Sequence, residues 1–159
     1  MSRMPDTAMV LAAGLGTRMR PLTDTTPKPL IKVAGKALID YALDQFADAG
    51  VRRAVVNVHY LADQIETHLK SREAPEIIFS DEREELMETG GGLKKAQLVL
   101  GDAPIFCTNT DAIIMRADGA GPCAALSKVW DAARMDALLL LVPIAKASGY
   151  DGRGDFDQH

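Results

Sequence analysis

Short apolar runs alternate along the chain with stretches whose apolar residues recur every three or four positions. Met9–Ala13 is apolar and ends in glycine, which predicts a first strand. Residues from Gly14 to about Lys36 are polar and carry Pro21, Pro27 and Pro29, so they form a long loop rather than one helix. Ile39, Ala42, Leu43 and Phe46 then fall at i, i+3, i+4 and i+7, an amphipathic helix stopped by Gly50. Ala54–Val58 predicts a second strand, Leu61, Ile65 and Leu69 a second helix, and Glu76–Phe79 a third strand. An acidic stretch from Ser80 to Glu88 leads through Thr89-Gly90-Gly91-Gly92 into a helix over about Leu93–Leu100. Pro104–Thr108 predicts a fourth strand, closed by Asn109-Thr110-Asp111. Pro122 suits a first helical position, with Leu126, Val129, Trp130 and Ala133 as its stripe, and Ala137–Val142 predicts a fifth strand.

Strands that are apolar throughout, alternating with helices, predict an α/β fold: a Rossmann-like, doubly wound, mostly parallel sheet with helices on both faces. No internal repeat or linker interrupts it, so residues 1–159 read as a single domain. The polar, glycine-rich stretch from Ala145 to His159 reads as a loop or hairpin. The longest apolar run is too short to span a bilayer, and the N-terminus has no apolar leader, so a cytoplasmic location without membrane attachment is expected. A formal net charge of −4 disfavours nucleic-acid binding but leaves room for a local cationic phosphate site. Cys107 and Cys123 have no metal or disulfide spacing, and they read as two reduced thiols.

The candidate chemistry begins directly after the first strand. Gly14 and Gly16 let the backbone turn sharply and bring its N–H groups to an anion. Thr17 adds a hydroxyl, and Arg18 a guanidinium that grips two phosphate oxygens at once. A dinucleotide fingerprint would need a third glycine where Met19 stands, and no Gly-Lys-Ser/Thr supplies a Walker loop.

The longer run Leu11-Ala-Ala-Gly-Leu-Gly-Thr-Arg-Met-Arg-Pro-Leu-Thr, with Thr26-Pro-Lys-Pro-Leu30, resembles the signature of the sugar-1-phosphate nucleotidyltransferases. Val33-Ala-Gly-Lys-Ala-Leu-Ile, Leu61-Ala-Asp-Gln-Ile-Glu and Met87-Glu-Thr-Gly-Gly-Gly-Leu extend the resemblance. It is closest to the N-acetylmuramate-1-phosphate uridylyltransferase and mannose-1-phosphate guanylyltransferase-like branch, strong from Met9 to about Asp111 and weak beyond.

The resemblance implies transfer of NMP from an NTP (UTP or GTP) to a sugar-1-phosphate, giving an NDP-sugar, here for the cell wall, and pyrophosphate. It implies Arg18 and Lys28 as the catalytic cations, with Arg18 on the triphosphate and Lys28 at the α-phosphate and sugar phosphate. Gly14, Gly16 and Thr17 would form the phosphate loop. Leu11, Ala12, Ala13, Thr89, Gly90 and Gly91 would shape the base and ribose pocket, and Asp111 would bind Mg²⁺. Base, sugar and oligomeric state stay open.

Two departures stand out: Thr110 occupies a place where the family commonly has glycine, and the chain is short, so the sugar-binding part is expected to be missing. Alternatives are a non-catalytic nucleotide-binding homologue or a cytidylyltransferase acting on a phospho-alcohol. Among the remaining polar residues, Arg20 reads as a surface residue, and His59 and His68 lack metal spacing. Asp44, Asp48 and the run Glu82, Glu84, Glu85 and Glu88 read as solvated faces, with contact of Glu82 to the sugar or base as the alternative.

Overall fold

The computed structural model describes residues 4–115, 119 and 121–156. Its elements are β1 (Thr7–Leu11), β2 (Lys32–Val33), β3 (Lys36–Ala37), α1 (Leu38–Asp48), β4 (Arg53–Val58), α2 (Ala62–Leu69), β5 (Glu76–Asp81), α3 (Glu88–Leu100), β6 (Phe106–Asn109) and α4 (Pro122–Val129). The main sheet has the order β5-β4-β1-β6, with every pair parallel. β2 and β3 form a separate antiparallel hairpin.

Alternation along β1 divides the core. Ala8 and Val10 face a cluster with Ile39, Leu43 and Phe46 of α1, Ile65 and Leu69 of α2, and Cys123 of α4. Met9 faces the other way, with Val55, Ala96 and Leu100, so α3 covers the opposite face. Side chains at i and i+2 share one face of a strand, so a central strand buried on both sides has to be apolar at every position. Phe46 and Phe106 stack across the first cluster, with ring centroids 6.0 Å apart.

The layered, parallel α/β architecture is the one expected, and the differences lie at element ends. β1 starts and stops two residues early, because Ala12 and Ala13, though buried, already belong to the turn. α2 begins after Leu61, whose left-handed backbone (φ 49°) turns the chain into the helix. α3 takes in all three glycines and starts at Glu88 rather than Leu93.

The fifth strand is a correction. Residues 137–142 form no strand, and Leu139, Leu141 and Val142 are about half exposed. A strand needs a neighbour to satisfy its backbone, and among the described residues β6 pairs only with β1. An apolar run alone does not supply one.

Candidate nucleotide site

The strand order reverses at β1: β4 and β5 lie on one side and β6 on the other. In open α/β sheets the crevice at such a switch point, beyond the carboxyl ends of the strands, is where ligands bind. Here the register places Leu11 opposite Asn57 on one side and Asn109 on the other, so the ends of β1, β4 and β6 open into one space. That space is a cleft of about 470 Å³, walled by Leu11–Gly14, Arg18, Lys28, Pro29, Asn57, Leu86, Glu88, Thr89 and Asn109–Asp111.

The glycine turn is held from behind. Gly16 has φ 65° and opens a short 3-10 turn, Thr17–Met19. Thr23, 1% exposed, donates its hydroxyl to the Gly16 carbonyl at 2.8 Å. Tyr60 donates to the Thr23 carbonyl at 2.9 Å, and Gln64 to that of Thr25 at 3.0 Å, tying the loop to the start of α2. A Cβ on Gly16 would lie 2.9 Å from the Thr23 methyl and 3.2 Å from Lys28 Cβ, whereas one on Gly14 would meet nothing within 4 Å.

Lys28 is positioned by its neighbours. Pro27 and Pro29 are fully buried, and the chain makes a 3-10 turn over Lys28–Leu30. Proline fixes φ on both sides, so the lysine leaves the loop from a stiff base. Its Nζ lies 2.9 Å from Asp111 Oδ2, an ion pair spanning 83 residues of sequence. Arg18 lines the same cleft, is exposed, and makes no hydrogen bond or ion pair with any described residue. Arg20 pairs instead with Asp24 at 3.5 Å, outside the cleft, in keeping with a surface role.

Of the residues expected at the site, the cleft wall contains Leu11, Ala12, Ala13, Gly14, Arg18, Lys28, Thr89 and Asp111. Gly16 and Thr17 stand behind it in the same turn. Gly90 and Gly91 follow Thr89 in the first turn of α3 without lining the wall, and Gly90 opens onto a separate groove along that helix. Thr110 is 5% exposed and forms part of the floor.

Two residues of the site escape a motif reading. Asn57 is 3% exposed at the end of β4, and its Oδ1 accepts the Ala12 N–H at 2.7 Å. Glu82 is 1% exposed, which corrects the reading of the whole acidic run as solvated. Glu84, Glu85 and Glu88 are exposed as expected. A polar residue inside an otherwise apolar strand was the available signal for Asn57, because a buried amide needs partners. Glu88, on the wall, holds a left-handed backbone (φ 54°), a conformation disfavoured for a residue with a Cβ.

Asp44 is another correction: it joins Lys36 and Arg72 in an ion-pair cluster on α1 rather than standing free. Burial raises its carboxyl, but hydrogen bonds from Lys36 and Arg72 outweigh that and hold it below the ordinary carboxylate range.

Among the described residues no three His, Cys, Asp or Glu side chains converge into a metal cage. Magnesium does not require one, because it is commonly held by one or two carboxylates together with substrate phosphates. Asp111 fits that pattern, standing at the strand end beside two cations suited to phosphate.

The glycine turn, Arg18, Lys28 and Asp111 thus gather at the switch point of a parallel, Rossmann-like α/β sheet. The profile of the family described as Nucleotidyl transferase matches residues 7–152, and the chain belongs to that family. It is 52% identical to the N-acetylmuramate alpha-1-phosphate uridylyltransferase of Caulobacter vibrioides, over 98% of this chain and 65% of the relative. It is 41% identical to the mannose-1-phosphate guanylyltransferase catalytic subunit beta of Drosophila melanogaster, over 67% of this chain and 30% of the relative. The chain thus spans about two thirds or less of the curated relatives it matches. Its fold matches a UDP-glucose pyrophosphorylase solved with UDP-glucose, with TM-score 0.65 and 23% identity over 79% of this chain and 53% of that one. The CTP:phosphocholine cytidylyltransferase of Streptococcus pneumoniae aligns with TM-score 0.55 and 31% identity, over 70% and 49%. No described helix is long and apolar enough to cross a membrane.

Proposed function

We propose that this chain forms the nucleotide-binding domain of a sugar-1-phosphate nucleotidyltransferase of the cytoplasm. The reaction is Mg²⁺-dependent transfer of NMP from UTP or GTP, with uridylyl transfer to an N-acetylmuramate-type or hexose 1-phosphate as the leading choice. The carrying observation is the meeting of Arg18, Lys28 and Asp111 across one cleft at the carboxyl ends of β1 and β6.

The chemistry follows from charge. An oxygen of the sugar phosphate attacks the α-phosphorus, and pyrophosphate leaves with the bond it held. Two polyanions have to meet, so the protein's work is positioning and neutralisation rather than covalent catalysis. Arg18, exposed and without a partner among the described residues, would take the triphosphate in bidentate fashion. Lys28 stands where it can exchange its Asp111 partner for a phosphate oxygen. Each well-aimed donor of this kind contributes roughly 3–4 kcal/mol to the transition state. Asp111 would hold the magnesium ion, which supplies further positive charge to the phosphates when bound. Ala12 and Ala13 border the base and ribose with Thr89, and Gly14 gives the phosphates close approach to backbone.

The test is pyrophosphate release with each of four NTPs against N-acetylmuramate, glucose and mannose 1-phosphates, with phosphocholine as a further acceptor. Release with a uridine or guanosine triphosphate and a sugar phosphate supports the reading. Turnover restricted to CTP and phosphocholine would favour the phospho-alcohol reading, which the 31% identity to the streptococcal cytidylyltransferase keeps in view. NTP binding without turnover would leave a nucleotide-binding domain alone.

A further inference from the structure

Glu82 is a buried carboxylate with no Lys, Arg or His against it among the described residues. A buried charge is costly unless hydrogen bonds replace its water. Its donors are neutral: Asn57 Nδ2 reaches Oε1 at 3.0 Å, and the Met87 backbone N–H reaches Oε2 at 3.2 Å. Asn57 passes the connection on, its Oδ1 accepting the Ala12 N–H. The result is a directional chain in which Ala12 donates to Asn57, while Asn57 and Met87 both donate to Glu82.

Both ends of that chain reach the lining of the cleft. Ala12 lines it beside the glycine turn, and Met87 lies between Leu86 and Glu88, which line it too. The backbone of Glu82 is itself anchored, donating to the Val58 carbonyl at 2.8 Å and accepting from Glu85 at 3.1 Å. His59 Nδ1 lies 2.6 Å from the Glu82 carbonyl oxygen. Gly92 seals the pair from below: a Cβ there would lie 2.8 Å from Glu82 Oε1 and 2.9 Å from Asn57 Nδ2.

We propose that Asn57 and Glu82 are positioning residues that fix the glycine turn relative to the Leu86–Glu88 segment and thereby the choice of base. The inference rests on the nucleotide reading of the cleft. Ala12, Leu86, Glu88 and Thr89 line the same cleft, so the relative placement of the two segments decides which of their backbone donors and acceptors come within hydrogen-bond reach of a base.

Polarity makes the idea testable. Glu82→Gln keeps the shape but puts an amide donor against a donor, at Met87 or at Asn57, in every flip. Asn57→Asp sets a carboxylate oxygen against Glu82 Oε1. The double variant N57D/E82Q restores every pairing: Ala12 donates to Asp, Gln donates to Asp, and Met87 donates to Gln.

The experiment is calorimetric titration of the full chain with UTP, GTP, CTP and ATP in Mg²⁺, with thermal unfolding of each variant. Each single variant is expected to weaken the preferred NTP about tenfold, the loss equivalent to one hydrogen bond, and to narrow discrimination among bases. The double variant is expected to recover both. If the singles fail to fold, the double folding and binding carries the same support. Singles that bind and discriminate like the wild type overturn the inference, and so does a double variant no better than the singles. A wild-type chain that binds none of the four NTPs refutes the nucleotide site itself, and this inference with it.

Discussion

Gly14 and Gly16 stand two residues apart, and the structure gives them different reasons for being glycine. Alanine at Gly16 would place a left-handed residue at φ 65° and a Cβ 2.9 Å from the Thr23 methyl. The backbone penalty is about 1–2 kcal/mol. Thr23 cannot step aside, because it is buried and bonded to the Gly16 carbonyl. Overpacking at such a site adds about 1–3 kcal/mol, and each kilocalorie lowers Tm by roughly 2–4 °C in a chain of this size. Gly16→Ala is therefore expected to melt at least about 4 °C lower.

Gly14→Ala meets no atom of the protein, and Gly14 is not among the glycines with positive φ. Its folded state bears no steric cost, and the stiffer unfolded chain even favours folding by about 0.4–1 kcal/mol. The methyl enters the cleft, where a phosphate would touch backbone. The expected result is unchanged or raised Tm together with at least about tenfold weaker NTP binding. Differential scanning fluorimetry and NTP titration of both variants decide it. A Gly16→Ala variant with wild-type Tm refutes the steric reasoning. A Gly14→Ala variant with wild-type NTP affinity refutes the assignment of that open space to a ligand.

Other expectations are briefer. Arg18→Ala should leave folding stability within about 0.5 kcal/mol of wild type, as for a surface residue with no partner among the described residues, while NTP affinity falls and loses part of its salt dependence, read by titration at two ionic strengths. Lys28→Met breaks an ion pair whose side chains are 22% and 40% exposed, worth about 0–1 kcal/mol to the fold, yet it should lower pyrophosphate release by roughly 10²-fold or more. Asp111→Asn should abolish the dependence of NTP binding on divalent cation, measured by titration with and without chelator. Burial pushes the Cys123 thiol up to about 11. The unfolded thiol ionises near about 8.5, so above that pH the unfolded state binds fewer protons and stability falls as pH rises toward the folded value. Cys123→Ser should flatten that alkaline loss in a melting series. The Asp44 carboxylate works in the opposite window: the stability it adds is present at neutral pH and is lost as pH falls below the ordinary carboxylate range.

Much of the architecture could be read from periodicity, and what could not has identifiable reasons. The strands that become β1, β4, β5 and β6 are short and apolar, the helical stripe of α1 matches the residues it buries, and that of α2 does so at Ile65 and Leu69 but not at Leu61. The run from 137 to 142 carries the same apolar signal and forms no strand, because pairing depends on a neighbour that hydrophobicity does not encode. At the cleft, the glycine turn and Arg18 stand out by residue type and Lys28 and Asp111 by the family resemblance, and the fold brings them to one place. Glu82 is read chiefly as solvent-facing, one of four glutamates within seven positions, and only the fold shows that it alone of them turns inward. Asn57 leaves one signal, a polar residue in an apolar strand, but its partners, the Ala12 N–H and the Glu82 carboxylate, are distant in sequence.

The outer edge of β6 bears on how the protein behaves in concentrated solution. Among the described residues its free backbone groups have no strand beside them, and Leu139, Leu141 and Val142 lie exposed elsewhere on the surface. An unpaired edge is a template for adding a strand from another molecule, and exposed aliphatic side chains favour the encounter. A net charge of −4 gives only modest electrostatic repulsion against it. Colloidal stability should therefore fall with rising salt, as light scattering at fixed protein concentration would register.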